Sequence, residues 1–206
     1  MTKVSTRISA RTKVLEAALS VIRAKGYAAT TVDDLCVAAG VTKGAFFHHF
    51  ASKDALAVAA ADAWSETTGA FFADAQYHQH ADPLDRVLGY LDFRKSILTG
   101  AVSEFTCLAG TMVQETYDSH PAIRAACDRS ISDHAAKIEA DIAAAMEAHG
   151  VVADWTAGSL ALHTQAVLQG AFILAKAKGG AEVAASSIDH LKRYVELVFN
   201  RRQLKE

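Results

Sequence analysis

Only two prolines occur in the 206 residues of this chain, and Pro83 and Pro121 both stand where a helix is expected to begin. Proline breaks the interior of a helix but fits its first turn, whereas alanine, which is abundant here, costs least in a helix. Glycine ends several stretches whose apolar residues recur every three or four positions: Gly26, Gly40, Gly100, Gly150 and Gly179. These features predict an all-α protein.

The same spacing predicts about nine helices and no convincing strand. In chain order they cover approximately 7–25, 31–40, 43–50, 53–78, 83–100, 106–117, 121–149, 154–178 and 181–200. No repeat or low-complexity linker separates them. We therefore expect two directly packed parts, a domain of residues 1–53 and a domain of residues 54–206.

Composition excludes several classes of protein. No stretch approaches about 18 uninterrupted apolar residues, and Met1 to Ser9 lacks an apolar signal-peptide core, so neither a membrane span nor secretion is expected. The three cysteines form no CxxC pair, which argues against a disulfide framework or a zinc site and favours the cytoplasm. His78 and His80 are two apart and make a poor metal pair on a helix. No catalytic signature is present, so we predict no enzyme, no cofactor and no metal.

Charge is distributed unevenly along the chain. Up to Lys53 there are eight Lys and Arg against three acidic residues, a net charge of +5, and the remainder carries −7, which together give the formal −2. A basic segment on an acidic body suggests that the first part meets a polyanion. A chance surface imbalance would produce the same numbers, so this feature alone does not decide the function.

The segment TVDDLCVAAGVTKGAFFHHF has the parts of a DNA-reading helix-turn-helix, residues 31–50. A short first helix has a buried face, Gly40 allows a left-handed turn, and Thr42 can cap the second helix. Phe46 and Phe50 lie four residues apart and are expected to anchor that helix to the first helix of the chain. This leaves the remaining side chains of the second helix on its outward side.

The run GYAATTVDDLCVAAGVTKGAFFHHFASKDAL resembles the N-terminal signature of the TetR family of transcriptional regulators over about 30 residues. After Lys53 the likeness extends only to length and layout. The resemblance implies a homodimer, a palindromic double-stranded DNA operator, and a small-molecule effector bound in the helical body. The expected function is ligand-responsive repression.

Position by position, the resemblance implies a set of DNA-contacting residues: Thr31, Thr42, Lys43, Gly44, Ala45, Phe47, His48, His49 and Lys53. Thr31, His49 and Lys53 would meet phosphates, and Thr42 and Lys43 would face bases or phosphates. Two residues depart from the family pattern. Ala45 stands where Thr is common, which favours a thymine methyl contact, and Phe47 stands where a phosphate-binding Tyr is usual.

Two further sites are expected in the body. An apolar effector pocket is assigned by helix order and analogy to Trp64, Phe93, Phe105, Met112 and His163. Cys107 lies near a predicted helix start, where the helix dipole can favour a thiolate, so a redox-sensing role is one reading and a half-buried packing cysteine is the other.

The last two predicted helices carry apolar stripes that suggest a twofold four-helix interface. The residues assigned to it are Val167, Gly170, Leu174, Ile188, Leu191 and Val195. The alternative is that both stripes face inward. At the level of the whole protein, the competing interpretation is an all-α ligand-binding protein that retains the module without operator binding, followed by a small helical enzyme.

Overall fold

The computed structural model of the protein describes residues 8–201, and all regular structure in that range is helical. The helices are α1 (Ala10–Lys25), α2 (Val32–Ala39), α3 (Lys43–His49), α4 (Lys53–Ala73), α5 (Pro83–Ser96), α6 (Val102–Phe105), α7 (Leu108–Thr116), α8 (Pro121–Ala148), α9 (Ala157–Lys178) and α10 (Glu182–Val198), with a 3₁₀ turn at Gln76–Gln79. The all-α prediction is confirmed. The described helices number ten rather than nine because the one-turn α6 was not predicted.

The described residues group into two compact units. The first contains the chain up to Ser65 together with Leu108–Asp128, and the second contains Glu66–Cys107 together with the chain from Arg129 onward. The helices α4 and α8 each begin in the first unit and end in the second. These units divide the chain differently from the predicted boundary after residue 53, which stays a prediction about domains.

The first unit is built around α1, which packs on α2, α3 and α7. Ser9 caps α1 by accepting a hydrogen bond from the Thr12 N–H at 3.1 Å, and Gly26 ends it at φ +87°. The predicted start at Arg7 lies outside the described residues. Val14, Ala18 and Ile22 recur along one side of α1 and are buried, as their spacing predicts.

The helix α4 ends at Ala73 rather than near His78. Its C-terminal carbonyls need partners once the helix stops. The Phe72 carbonyl lies 3.0 Å from His78 Nε2 and 3.4 Å from the Tyr77 hydroxyl, which donates to it. The 3₁₀ turn that follows α4 therefore places its own side chains on the end of the helix.

Between α5 and α7 the chain departs most from the prediction. The helix α5 stops at Ser96, whose hydroxyl donates to the Phe93 carbonyl at 2.8 Å, and Gly100 lies in the following loop at φ +78°. The Glu104 carboxylate then accepts a hydrogen bond from the Ala101 N–H and so caps the N-terminus of α6. The extended backbone of Thr106 ends α6, so α7 begins only at Leu108.

The core of the second unit lies among α5, α8, α9 and α10, and α10 packs on both α5 and α9. Among its buried residues are Leu91, Ile142, Leu168, Ile188 and Val195. Within residues 8–201, no helix has the length and apolar character needed to cross a bilayer.

Candidate DNA interface

The helix α2 begins with a reciprocal cap between Thr31 and Asp34. The Thr31 hydroxyl oxygen accepts a hydrogen bond from the Asp34 N–H at 3.1 Å, and Asp34 Oδ2 accepts from the Thr31 N–H and hydroxyl at 2.8 and 2.7 Å. Lys25 Nζ lies 2.6 Å from the same oxygen. These Lys25 and Thr31 bonds hold the pKa of Asp34 well below its usual range. Thr31 was predicted to donate to a phosphate, but both of its donors are engaged within this cap.

The turn between α2 and α3 depends on Gly40. Its φ of +62° and ψ of +41° are left-handed, a conformation that disfavours residues with a Cβ. The next N–H, that of Val41, donates to the Cys36 carbonyl at 3.0 Å. The chain therefore reverses within two residues of α2, as the helix-turn-helix prediction requires.

The helix α3 has one buried side. Thr42 caps it by accepting a hydrogen bond from the Ala45 N–H at 3.1 Å. Phe46 is fully buried and Phe50 is 4% exposed, with their ring centroids 5.8 Å apart. The Arg11 guanidinium of α1 lies 5.6 Å from the Phe50 ring centroid. These aromatic rings anchor α3 to the first unit.

The opposite side of α3 is exposed, and Phe47 is its one large apolar side chain. Its exposed residues are Thr42, Lys43, Gly44, Phe47, His48 and His49, and Ala45 is half-buried. Phe47 is 54% exposed and packs edge-on against Phe46 with a centroid distance of 5.1 Å. A Cβ at Gly44 would have only the Thr42 hydroxyl oxygen within 4 Å, at 3.8 Å, so the backbone there is open. Six of the predicted DNA-contacting residues are thus exposed at α3, and their contacts with DNA stay a prediction.

Lys43 is paired with an acid that the sequence analysis did not connect to it. Its Nζ lies 2.7 Å from Asp33 Oδ1 at the start of α2, and the two side chains are 62% and 65% exposed. The hydrogen bond to Asp33 raises the pKa of Lys43. An exposed pair contributes little to stability, so a phosphate can replace Asp33 as the partner of Lys43 at small cost.

Lys53 makes intramolecular hydrogen bonds that its motif position did not predict. Its ammonium donates to the Tyr27 and Thr30 carbonyls at 3.1 and 3.0 Å and lies 4.1 Å from the Tyr27 ring centroid. The side chain is half-buried. Two of its three donors thus hold the loop between α1 and α2, and its contact with a phosphate stays a prediction.

A neighbouring acid in the first unit supports the same loop. Glu115 of α7 accepts a hydrogen bond from the Ala28 N–H at 2.6 Å, and a Cβ at Gly26 would overlap its carboxylate. Tyr27 donates a hydrogen bond to Asp54, and burial together with this bond raises the pKa of Tyr27. Sequence reasoning missed Glu115 because it lies 87 positions from Ala28 and no local pattern links them.

The five predicted pocket residues divide between the two units. Trp64, with the Arg23 guanidinium 4.9 Å from its ring centroid, and the fully buried Met112 belong to the first unit. Phe93 and Phe105 pack against the core of the second unit. His163 is exposed and lies edge-on to Tyr194 at 5.2 Å. Their role in effector binding stays a prediction.

The second unit contains a cavity of about 140 Å³ that is walled by other residues of α4, α5, α8 and the 3₁₀ turn. Cys107 lies elsewhere, half-buried at the edge of the core and directly before α7. All three cysteines are described and none forms a disulfide. No group of three or more potential metal ligands occurs within residues 8–201. The sensing role of Cys107 stays a prediction.

The predicted dimer residues divide into two sets. Ile188, Leu191 and Val195 are at most 2% exposed and belong to the core of the second unit, so their assignment to an interface is wrong. Leu174 is 45% exposed, and Val167 and Gly170 are half-buried. For α10 the alternative interpretation, that the predicted stripe faces inward, is confirmed, because α10 packs on α5 and α9.

The large apolar side chains that are exposed on these two helices share only Leu174 with the predicted interface. We call this set the α9–α10 face: Leu162, Ile173, Leu174, Tyr194 and Leu197, each between 43% and 57% exposed. Leu162 and Ile173 lie on one side of α9, since eleven residues make about three turns. A Cβ at Gly170 would meet no atom within 4 Å, so the α9 backbone is also open there.

A small helical core that presents a short, capped helix across a glycine turn defines a helix-turn-helix protein. The model of bacterial regulatory proteins of the tetR family matches residues 14–60, and the model of the LmrA/YxaF-like transcriptional regulator C-terminal domain matches residues 83–183. The chain belongs to the TetR family of transcriptional regulators. This is a family of regulators rather than enzymes, in agreement with the sequence-based expectation.

Relatives agree with this assignment. An uncharacterized HTH-type transcriptional regulator, YerO of Bacillus subtilis (strain 168), is 36% identical over 50 residues, which span 24% of this chain and 17% of that protein. A TetR transcriptional regulator from Chloroflexus aurantiacus is 26% identical, with a TM-score of 0.77, and the match covers 90% of this chain and 93% of that one. CifR, a TetR family regulator solved as a cysteine mutant with 26-base-pair operator DNA, has a TM-score of 0.75 at 19% identity, covering 91% of this chain and 97% of CifR.

Proposed function

We propose that this protein is a dimeric repressor that binds a palindromic operator and releases it when a small molecule binds its second unit. The observation that carries the DNA-binding part is the one-sided packing of α3. Its aromatic rings are buried on one side, and Lys43, His48 and His49 are exposed on the other. A short helix with this distribution fits the major groove, which admits an α-helix.

The Lys43–Asp33 ion pair links the first residue of α3 to the second residue of α2. Helix N-termini favour anions because their first N–H groups have no partner within the helix. We infer that Lys43 exchanges Asp33 for a phosphate or a base edge when the operator binds. Lys53 would then position the loop between α1 and α2, with its third donor left for a phosphate.

The dimer part rests on the α9–α10 face, and we propose a second copy of this chain as its partner. Twofold packing of α9 and α10 on their counterparts would bury the exposed leucines and Tyr194, and open backbone at Gly170 permits close approach. Two recognition helices would then meet successive major grooves about 34–36 Å apart.

DNA binding is tested on duplexes selected from a random pool, with affinity measured by fluorescence anisotropy at several salt concentrations. We expect selective, salt-dependent binding. Lys43→Ala should reduce the salt slope by about one unit if the contact is to phosphate, or relax the preference at one base pair if it is to a base. Lys178→Ala, at an exposed position near the end of α9, is the matched control. Binding that is neither selective nor salt-dependent would contradict the proposal and favour the ligand-binding alternative.

The dimer is tested by light scattering of Leu197→Glu, with Ala143→Glu at an exposed position of α8 as the control. The first variant should be monomeric and lose operator affinity, because it places two charges at a twofold interface. A monomeric wild-type protein at micromolar concentration would contradict this part.

A further inference from the structure

The cavity of the second unit is walled largely by aromatic rings. Phe72 of α4, Tyr77 of the 3₁₀ turn, Tyr90 of α5 and His134 of α8 surround it, and Phe72 and His134 lie edge-on with centroids 4.8 Å apart. Its volume of about 140 Å³ is close to the engineered apolar cavity of about 150 Å³ that binds benzene. The space therefore admits a single six-membered ring.

The inner end of this cavity offers hydrogen bonds without charge. The Tyr90 hydroxyl lies 3.0 Å from His134 Nε2. Burial, with help from Arg94 and Lys137, lowers the pKa of His134 to about 3, so its ring is neutral near pH 7. Asp141 also lines the cavity, but its carboxylate lies 2.7 Å from Arg86 Nε and is compensated there.

The outer end of the cavity carries a cation. Lys137, Ala73 and His78 line it and are exposed, which places the opening on their side. Lys137 reaches across to α4, where a Cβ at Gly69 would lie 3.1 Å from its Nζ. Among residues 8–201, Lys137 has no carboxylate within ion-pair distance.

A second cation lies close by. The Arg94 guanidinium is held between two rings, 5.1 Å from the centroid of Phe72 and 5.3 Å from that of Phe172. It also lacks an ion pair within the described part of the chain. The surroundings of the cavity thus have an excess of positive charge, which a ligand with one negative charge would compensate.

We infer that this cavity binds a monocyclic aromatic carboxylate, with its ring among Phe72, Tyr77 and Tyr90 and its carboxylate on the Lys137 ammonium. The inference rests on the proposed effector response and names the chemical class of that effector. The ring follows from the volume and the aromatic walls, and the charge follows from Lys137 and Arg94, which have no ion pair among residues 8–201.

The walls of the cavity also give the ligand a route to the DNA-binding region. The helices α4 and α8 both line it, and both begin in the first unit. There the Asp54 carboxylate near the start of α4 lies 3.9 Å from Nε2 of His120, which immediately precedes α8. A ligand that shifts either helix would act on this pair and on Tyr27, which donates to Asp54.

The test is calorimetric titration of the full chain, without DNA, with benzoate, its neutral isostere benzamide, and acetate. Benzoate should bind at least about tenfold more tightly than benzamide, and acetate should not bind measurably. Lys137→Met should abolish the difference between benzoate and benzamide, whereas Lys178→Met, at an exposed lysine of α9, should retain it. An unchanged ratio in Lys137→Met, or no benzoate binding at millimolar concentration, would overturn the inference.

A second variant tests the location without touching charge. Ala73→Leu narrows the opening at an exposed position and should weaken benzoate and benzamide alike, while Ala70→Leu, exposed on the same helix and away from the cavity, should weaken neither. Equal binding by both variants would place the ligand elsewhere. Because these titrations contain no DNA, they can fail while operator binding succeeds, and the reverse.

Discussion

The helices α3 and α10 each carry neighbouring apolar residues, but only in α3 does their position in sequence reveal which of them is buried. In α3, Phe46 is buried, and Phe47 is the one large apolar side chain on the outward side. Near its C-terminus α10 has Tyr194, Val195, Leu197 and Val198, which occupy more than one side of the helix. A single apolar stripe identifies the inside of a helix, whereas two stripes do not identify which one faces the core.

The largest expected difference between two substitutions lies within α10. Val195→Glu should unfold the second unit, costing at least about 4 kcal/mol, because it places an unpaired charge at a fully buried position. Leu197→Glu, at a position that is 55% exposed, should keep native helical content and a cooperative unfolding transition. Circular dichroism during urea denaturation measures both. If Val195→Glu instead folds normally as a monomer, the side of α10 that carries Val195 forms the interface and the side that carries Leu197 faces the core.

A similar pair of substitutions tests α3, the helix whose buried side the sequence predicted. Phe46→Ala should destabilise the protein by about 3–5 kcal/mol, since it removes a fully buried ring and leaves a cavity. Phe47→Ala should change the free energy of unfolding by no more than about 0.5 kcal/mol. Equal losses in the urea transitions of the two variants would mean that α3 is rotated from the orientation described above.

The second unit should also show acid sensitivity because of its buried histidine. The folded-state pKa of His134 is about 3, below the ordinary value of 6.5, so its contribution to stability is complete above pH 6.5 and is lost as the pH falls towards 3. Between these pH values His134 should change the free energy of unfolding by about 1.4 kcal/mol per pH unit, the free energy that corresponds to one pKa unit. His134→Gln should remove this slope and His163→Gln, at an exposed position, should retain it. Identical pH profiles of urea stability for wild type and His134→Gln would contradict the assignment.

The smallest effect is expected on the exposed side of α3. Phe47 occupies a position where the family usually has a phosphate-binding Tyr, and its side chain is half exposed. Phe47→Tyr should therefore raise operator affinity by about threefold to tenfold through one added hydrogen bond, with no change in stability. Anisotropy titrations with selected duplexes measure this gain. A loss of affinity would indicate that the Phe47 ring makes an apolar contact that a hydroxyl disrupts.

Local chemistry explains which elements could be predicted. The helix-turn-helix could be predicted because its features depend on residues close together in sequence. These features are Gly40 at φ +62°, Thr42 as a cap, and the buried rings of Phe46 and Phe50. The end of α4 at Ala73 could not be predicted in this way. It depends on side chains of the 3₁₀ turn returning to the Phe72 carbonyl, in competition with continued helix.

For the candidate sites, the limit was distance along the chain. The motif position of Lys53 predicted a phosphate contact but gave no sign of the Tyr27 and Thr30 carbonyls that accept its hydrogen bonds. The cavity collects Phe72, Tyr90 and His134 from three separate helices, and none of the five pocket residues chosen by helix order lines it. Periodicity assigns a residue to a face of its own helix but does not say which other helix lies opposite.

The amino-acid sequence by itself determined that this chain is all-α, that its N-terminal segment forms a helix-turn-helix, and that it resembles the TetR family. These properties depend on caps, glycines and apolar spacing within one or two turns of helix. Only the tertiary structure decided that Ile188, Leu191 and Val195 face inward, that Glu115 supports the loop before α2, and that Lys137 lies beside an aromatic cavity. Those properties depend on contacts between residues far apart in sequence, and such contacts exist only once the helices have packed.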